Sequence, residues 1–467
     1  MSDQQQAGQR TSIHGEWSSR LAFIMAATGS AVGLGNIWKF PYITGENGGG
    51  AFVLVYLLCI AAIGIPTMMA EIMIGRRGRR SPINSMRYLA KEAAANPFWR
   101  YVGWSGMLAG FLILSYYSVI AGWALAYVFR TAAGVFDGAS AEFVGDVFNG
   151  LTTDPERLIA WHTIFMVMTM VIVARGVRGG LEAAVRYLMP ALFVLMIVLL
   201  GYSMQTDAFQ QGLAFLFNPD FSKISAHGVL IAMGHAFFTL SLGMGAIMVY
   251  GSYLPQGISI AKTSIIVAGA DTLVALLAGM IIFPIVFTYG LEPGAGPGLI
   301  FQTLPIAFGQ MPGGAFFGAL FFLLLVFAAW SSSISLIEPV VSWLVENKGM
   351  SRVMAASLSG LVTWFVGLLT VFSFNLWSEV TPLGGITIFA ESTFFDLLDY
   401  LTSNIMLPLG GLLIAIFSAW VMMRKDSCEE LAMEDGLAYQ VWRFLVRYIT
   451  PAAVLMVFLN VTGVLEL

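Results

Sequence analysis

Charged residues, cysteines and histidines are all scarce in this sequence. Of its 467 residues, 11% are charged, two are cysteines and four are histidines, whereas 58% are hydrophobic. Soluble domains carry about 25% charged residues on average, so this composition excludes a soluble globular protein. Cys59 lies inside an apolar run and Cys428 lies in a charged loop, so we expect no disulfide bond. The net charge of −4 gives no support for nucleic-acid binding.

The few histidines also argue against an enzyme. They are spread along the chain without the spacing of metal ligands, and no nucleophile stands beside a general base. Their positions are His14, His162, His227 and His235. We therefore expect no catalytic activity, with a membrane enzyme kept as a competing interpretation.

Long apolar runs recur along the whole chain. A helix that crosses a membrane needs about 20 predominantly apolar residues. We place eleven such spans at residues 21–43, 51–75, 101–130, 158–174, 185–204, 229–254, 261–289, 314–345, 353–373, 393–423 and 441–463. The sequence therefore predicts an all-α membrane protein with about eleven transmembrane helices, organised as a single polytopic domain over residues 1–467.

Basic residues are concentrated in the loops that follow the second and fourth spans. These residues are Arg76, Arg77, Arg79, Arg80, Arg87, Lys91 and Arg100 in the first loop, and Arg175, Arg178 and Arg186 in the second. The loop after the third span is acidic instead. Because basic loops resist translocation, we place both basic loops and the N-terminus in the cytoplasm.

Two of the predicted spans are interrupted by glycines in corresponding ways. The interruptions cover residues 32–36 and 241–245, five helices apart. Glycine in a membrane helix commonly allows close helix packing, and that is the alternative explanation. The paired Gly-x-Gly pattern, with Asn36 and Thr239 beside the breaks, favours a binding site built from freed backbone groups. Free carbonyls suit Na⁺, and helix N-termini suit a carboxylate.

The segments around these breaks resemble a known family. Residues 29–41 read GSAVGLGNIWKFP and residues 46–52 read ENGGGAF, which is similar to the signature of the neurotransmitter:sodium symporter family. Residues 237–243 and 447–451 add to the resemblance, which runs from about Trp17 to the end. It implies the leucine-transporter fold, with helices one and six unwound at mid-membrane, and a place in the bacterial inner membrane.

The same resemblance implies the division of the chain. Helices one to five and six to ten form inverted repeats, at about residues 17–204 and 229–423. An additional helix covers about residues 441–463. The implied activity is import of a small solute together with sodium by alternating access.

Two co-transported sodium ions are implied near the breaks. The first site would use Ala31, Asn36, Thr239 and Asp271, together with the substrate carboxylate. The second site would use Gly29, Val32, Ala328, Ser331 and Ser332. Several oxygen ligands, most of them neutral, suit a hard cation that must also leave. For the serines alone, interhelical hydrogen bonding is the alternative.

The resemblance also implies where the substrate binds. The contacts would be Ser30, Ala31, Leu34, Gly35, Ile113, Tyr117, Phe238, Thr239, Ser241, Met244, Ser332 and Leu336. Gly33 stands where monoamine members of the family carry Asp; it leaves room beside the amine and brings no charge. This favours a neutral, hydrophobic L-amino acid that supplies its own carboxylate. A β- or γ-amino acid or taurine is the alternative substrate.

Gates are implied on both sides of the site. Lys39 and Asp399 would face each other across the outer vestibule, and His14, Tyr253 and Glu346 match inner-gate positions. The family has Arg where Lys39 and His14 stand. Lys lacks the two-pronged geometry of Arg, so the outer gate is expected to be looser. A free His is mostly neutral near neutral pH, so the inner gate is not expected to keep its ion pair there. Glu71 resembles an acid that supports the unwound part of helix six.

Chloride independence is a further expectation. Many animal members of the family bind chloride to balance two sodium ions and a zwitterion. Tyr56 and Thr239 remain from that anion site, but His235 replaces a Gln and Ala275 replaces a hydroxyl residue. Asp271 can supply the negative charge instead. A protonated Asp271, or a protonated His235 that holds an anion, would be the alternatives.

Other classes remain as alternatives to a transporter. An ion channel needs a continuous polar pore, whereas the polar groups here cluster at one depth. A sensor on the same scaffold is also possible from the sequence. The expected partners are the amino-acid substrate, sodium ions and membrane lipid, and the sequence does not fix the oligomeric state.

Overall fold

The protein is an assembly of helices. The structure, a computed structural model, describes residues 12–293 and 298–461, and it contains no β-strand within those residues. The predicted all-α fold is confirmed. The helices in chain order are α1 Arg20–Ala31, α2 Gly35–Glu46, α3 Gly50–Gly78, α4 Pro82–Glu92, α5 Pro97–Ala132, α6 Ala141–Thr152, α7 Pro155–Ala174, α8 Val177–Ser203, α9 Phe209–Phe217, α10 Ala226–Thr239, α11 Ala246–Ser252, α12 Ile260–Thr288, α13 at 299–310, α14 Gly314–Lys348, α15 Arg352–Ser373, α16 Phe394–Val421, α17 Arg424–Leu431 and α18 Leu437–Asn460.

Nine helices in the described part of the chain are long and apolar enough to cross a membrane: α3, α5, α7, α8, α12, α14, α15, α16 and α18. The pair α1 and α2 passes the same test together, with a bend of 51° between them. The sixth predicted span is divided into α10, of 14 residues, and α11, of 7 residues, and each is too short to cross alone. The count of about eleven spans and the inverted repeats therefore stay predictions, and residues 462–463 of the last span lie outside the described residues.

The two longest helices form the centre of the bundle. α5 and α14 pack against each other, and 78% of the apolar stretch of each is buried. For α7 and α8 the buried share is 33%, so these helices lie at the lipid-facing periphery. α1 packs against α14, α12 and α8, which places the first break beside the central pair.

Both helix breaks are held by specific hydrogen bonds. At the first break, the Asn36 side chain accepts from the backbone N–H of Gly33, 2.9 Å away. At the second, Ser241, Gly243 and Gly245 have positive φ angles of 54°, 81° and 75°, a backbone shape that ends a helix. The Glu71 carboxylate accepts from the Gly243 N–H at 2.6 Å, which is the contact that the family resemblance implies. Each break thus has polar partners inside the protein, as a membrane interior requires.

The basic loop after the second span also has a structural role. The Arg76 side chain donates to the Glu430 carboxylate at 2.5 Å, and Arg77 lies 2.9 Å from Asp426. Arg77 also pairs with Glu92 at 2.5 Å. These contacts join the end of α3 to α4 and α17. The arginines are therefore more than the topology signals that the sequence indicated.

Glycine at position 75 lets α3 approach α11 closely. A Cβ atom added there would overlap the backbone carbonyl oxygen of Met248. Gly75→Ala should therefore lower the stability by about 1–3 kcal/mol, since a backbone atom cannot move aside cheaply. The midpoint of thermal unfolding in detergent measures the effect. Gly201→Ala is the matched control, because a Cβ there meets nothing within 4 Å; an equal loss in both variants would contradict the packing argument.

Candidate functional site

Both helix breaks open on one small cavity at the centre of the molecule. Its volume is about 30 Å³. Every residue that the family resemblance implies as a substrate contact lines it, together with Gly33: Ser30, Ala31, Leu34, Gly35, Ile113, Tyr117, Phe238, Thr239, Ser241, Met244, Ser332 and Leu336. Residues from α1, α5, α10 and α14 thus meet at one point. Because the cavity is small, side chains such as Met244 and Phe238 must separate to admit an amino acid.

The polar groups of this cavity come mainly from the breaks. The Tyr117 hydroxyl accepts from the backbone N–H of Leu34 at 3.2 Å. The Ser241 hydroxyl donates to the Ser30 carbonyl at 2.8 Å, which joins the two breaks directly. Ile113, Met244 and Leu336 add apolar side chains to the lining. The cavity lining therefore combines polar groups of the breaks with hydrophobic side chains.

Two hydroxyl groups lie close to Gly33. A Cβ atom at Gly33 would lie 2.6 Å from the Ser332 hydroxyl oxygen and 2.8 Å from the Tyr117 hydroxyl oxygen. The expectation that this glycine leaves room beside an amine stays a prediction. An acidic side chain at this position would need both hydroxyls to move.

The first predicted sodium site is a connected polar cluster. The Asn36 side-chain N–H₂ donates to the Thr239 hydroxyl at 3.0 Å and to the Asp271 carboxylate at 2.7 Å. The Thr239 hydroxyl donates to the other Asp271 oxygen at 3.0 Å. The Asn36 oxygen faces Gly33 instead, so rotation of its amide would be needed to bring that oxygen to a cation. All three side chains are buried, with exposures of 1% or less.

The second predicted sodium site is also assembled. The Ser332 hydroxyl donates to the carbonyls of Val32 at 2.9 Å and of Gly29 at 3.3 Å. The Ser331 hydroxyl donates to the Ala328 carbonyl at 3.1 Å. The Ser332 contacts join α14 to the end of α1, whereas the Ser331 contact lies within α14. To ligate a cation, each serine must turn its hydrogen away from these carbonyls, which rotation about a single bond allows.

A larger cavity lies directly above the central one, on the side away from the basic loops. Its volume is about 160 Å³, and it shares Tyr117 and Phe238 with the central cavity. Lys39 and Asp399 both line it, but within the described residues they form no ion pair. The Lys39 ammonium lies 4.8 Å from the centre of the Phe238 ring, and Asp399 accepts from the Ser403 hydroxyl at 2.9 Å. The gating role of the two residues stays a prediction.

The three residues at the implied inner-gate positions lie close together on the basic side. His14 Nε2 lies 3.1 Å from the Glu346 carboxylate, and both side chains are at most 5% exposed. The His14 and Tyr253 rings are 5.8 Å apart. Glu346 also accepts from the N–H of Ser81 at 2.7 Å and from the Asn84 amide at 2.6 Å. The Ser81 hydroxyl donates to it as well, at 2.5 Å. Three donor groups besides His14 thus hold the carboxylate, so a neutral His14 does not leave it unpartnered.

Next to these residues lies a buried ion pair that the sequence did not predict. Glu338 on α14 is fully buried, pairs with Arg352 and accepts from the Tyr253 hydroxyl at 2.6 Å. Arg352 also donates to the Val173 carbonyl at 3.0 Å, which joins α15 to α7. A glutamate inside the apolar run 314–345 is the signal that could have revealed it, because intramembrane carboxylates are costly.

Removing the positive charge of this pair should destabilise the protein. Arg352→Gln leaves the Glu338 carboxylate buried without its partner, so we expect a loss of about 3–5 kcal/mol. Adding Glu338→Gln should recover most of that loss, since the uncompensated charge is then gone. Arg157→Gln, at an exposed pair with Asp154, should cost no more than about 1 kcal/mol. Thermal unfolding in detergent measures all three, and a double variant as unstable as Arg352→Gln would rule out the charge explanation.

The sequence and the fold are similar to those of sodium-coupled transporters. The profile of the Sodium:neurotransmitter symporter family matches residues 14–140 and 148–465. The chain is 38% identical to YhdH of Bacillus subtilis, described as an uncharacterized sodium-dependent transporter, over 97% of this chain and 98% of the relative. It is 35% identical to an uncharacterized sodium-dependent transporter of Haemophilus influenzae, over 95% and 97%.

The solved structure of MhsT in complex with L-phenylalanine is similar to that of this chain. Its TM-score against this chain is 0.87, with 44% sequence identity over 96% of this chain and 99% of MhsT. The Drosophila melanogaster sodium-dependent serotonin transporter is more distant, at 26% identity over 95% of this chain and 75% of the relative. The chain is a multi-pass membrane transporter that belongs to the sodium:neurotransmitter symporter family and is not an enzyme.

Proposed function

We propose that this transporter imports a neutral, hydrophobic L-amino acid with two sodium ions, independently of chloride. The observation that carries the proposal is the central cavity, whose lining combines polar groups of both helix breaks with apolar side chains. A zwitterion with a hydrophobic side chain has the same combination of groups. The polar groups would take the carboxylate and amine, and Ile113, Met244 and Leu336 would contact the side chain.

The solved relative supports an aromatic or large aliphatic substrate. MhsT has been crystallised with L-phenylalanine, and it shares 44% of its residues with this chain. The Phe238 ring and the flexible Met244 side chain can rearrange around an aromatic ring, since thioether chains adapt to irregular shapes. β-Alanine and taurine, the alternative substrates, have no hydrophobic side chain to contact the apolar residues of the cavity.

The oxygen groups beside the cavity fit two cation sites. The first offers a full carboxylate at Asp271 beside Asn36 and Thr239. The second offers only neutral oxygens, including those of Val32 and Ser332. Hard cations prefer such oxygen ligands, and neutral ligands allow release. Both sites adjoin the cavity, so substrate and sodium would bind together.

The charge at Asp271 supports chloride independence. Two sodium ions and a zwitterion carry two positive charges into a buried site, where an uncompensated charge is costly. The Asp271 carboxylate lies in the first site and can offset one of them. Ala275 offers no hydroxyl for an anion. However, both His235 ring nitrogens lack hydrogen-bond partners among the described residues, and the His235 ring lies 5.5 Å from the Tyr56 ring, which makes a chloride test necessary.

The open and closed sides support alternating access. The cavity above Phe238 gives a path from one side, whereas His14, Tyr253 and Glu346 seal the other. A channel would need both sides open at once. We place the sealed side in the cytoplasm, because it carries the basic loops and the N-terminal segment. This orientation fits an inner-membrane importer whose structure faces outward.

Uptake into proteoliposomes tests the coupling. A tenfold inward sodium gradient supplies about 1.4 kcal/mol per ion, so at zero membrane potential two ions support about 100-fold accumulation and one ion about tenfold. Radiolabelled L-phenylalanine should accumulate towards the higher value with sodium and not with choline. Accumulation that persists in choline at constant pH would contradict sodium coupling.

Competition by an amine tests recognition of the substrate carboxylate. Tryptamine should compete far less than L-tryptophan for uptake, and equal competition would refute carboxylate recognition.

Chloride replacement tests the role of Asp271. Wild-type uptake should be the same in chloride and in gluconate. Asp271→Asn should raise the sodium concentration for half-maximal uptake about tenfold, the effect of losing only 1.4 kcal/mol of attraction, or it should create a need for chloride. Asp207→Asn makes the same chemical change at an exposed loop position and should have no effect. Wild-type uptake that collapses in gluconate would assign the anion to Tyr56 and His235 instead.

A further inference from the structure

A large groove lies on the outer surface of the bundle, away from the transport site. It has a volume of about 590 Å³ and runs between residues 163–174 of α7 and residues 353–364 of α15. We call it the α7/α15 groove. Its walls are largely apolar, and Val167, Val171 and Leu361 in them are 56%, 47% and 54% exposed. α7 is a peripheral helix, so the groove faces the membrane lipid.

The length of the groove matches one leaflet of a bilayer. Each wall spans eleven residue steps, from 163 to 174 and from 353 to 364, which is about 16 Å at 1.5 Å per residue. The hydrocarbon core is about 30 Å thick, so half of it is about 15 Å. The Trp364 indole N–H donates to the Thr163 hydroxyl at 2.8 Å and closes the end at mid-membrane. The other end, at Ala174 and Val353, lies at the basic side.

Small and flexible side chains give the groove its depth. Ser357 and Gly360 line the groove on α15, and Met170 packs directly against Gly360, since a Cβ atom there would lie 2.7 Å from its sulfur. Met166 and Met170 form much of the facing wall. Methionine side chains can adjust to an irregular hydrocarbon chain. The groove is therefore suited to a flexible chain more than to a rigid partner helix.

A positive charge stands at the basic end of the groove. Arg175 follows directly after Ala174 and is exposed, and its guanidinium has no hydrogen-bond or ion-pair partner within residues 12–293 and 298–461. Arg352 precedes Val353, but its guanidinium is held by Glu338 and by the Val173 carbonyl. Arg178 is exposed too, with one N–H donated to the Glu16 carbonyl. Exposed basic residues at this depth attract anionic lipid headgroups.

We propose that the α7/α15 groove binds an anionic diacyl phospholipid from the leaflet at the basic side. One acyl chain lies along the groove up to Trp364, and the phosphate contacts Arg175. The groove length, its closed inner end and the unpaired charge at its outer end together specify this occupant. Through Arg352 the rim of the groove is joined to Glu338 and Tyr253, so the lipid lies next to the inner gate.

Native mass spectrometry of the full-length protein tests the proposal. The protein is released from detergent in the presence of phosphatidylglycerol or phosphatidylethanolamine with identical acyl chains. Wild type should retain one phosphatidylglycerol at least about fivefold more strongly, the effect of one basic contact with an anionic surface. Arg175→Gln should remove that preference. Lys348→Gln, an exposed basic residue at the end of α14, should keep it.

Filling the groove gives an independent readout. Ser357 is exposed and lines the groove, so Ser357→Phe should abolish retention of the bound phosphatidylglycerol. Ala62→Phe fills a different apolar groove, of about 310 Å³ between α3 and α18, and should leave retention unchanged. Gel filtration and sodium-dependent uptake verify the fold of each variant. Equal retention of both lipids by wild type, or unchanged retention by Ser357→Phe, would overturn the proposal; Arg175→Gln decides it if Ser357→Phe does not fold.

Discussion

The constraint on which this structure depends is that lipid cannot satisfy a backbone hydrogen-bonding group. A helix broken at mid-membrane is tolerated only where protein groups or cargo take over the freed donors and acceptors. Here Glu71 accepts from Gly243, Tyr117 accepts from Leu34, and Ser332 donates to Val32. The partners come from α3, α5 and α14, which are continuous helices. The rigid helices therefore hold the geometry, and the broken ones supply the chemistry.

The chemistry of the site and its surroundings is divided by depth within the bundle. Polar groups that can meet a zwitterion and cations lie beside the central α5 and α14 pair, where little surface is exposed. The peripheral helices present apolar side chains to lipid, and their ends carry the exposed arginines. Few charges are needed in such a molecule, which explains why so small a share of the sequence is charged.

Much of the site could be predicted from sequence, because its residues lie in short continuous segments around the breaks. Gly33 and Asn36 belong to one such segment, and Thr239 and Ser241 to another. What could not be predicted depends on which distant atoms meet. The crowding at Gly33 comes from Ser332 and Tyr117 on other helices.

Two other features could not be predicted from the sequence, for related reasons. The pairing of Glu338 with Arg352 crosses a turn between helices and follows no helical period. Which side of the transporter is open depends on a balance of a few kcal/mol between conformations, which no local motif encodes. The orientation of the Asn36 amide depends on a distant partner too, because its N–H₂ donates to Asp271 while its oxygen accepts from the nearby Gly33 N–H.

The two contacts of Glu338 determine what it costs to move Tyr253 away from it. Its carboxylate holds both Arg352, on the scaffold, and the Tyr253 hydroxyl, just beyond the end of the second broken helix. If Tyr253 withdraws, the ion pair stays whole and no buried charge is stranded. The bond that breaks is a hydrogen bond to a charged group, worth about 1.5–3 kcal/mol, rather than a buried ion pair, whose disruption costs about 3–5 kcal/mol. An energy of that size is within reach of thermal motion. Tyr253 can therefore move away and return while the ion pair between Glu338 and Arg352 stays intact.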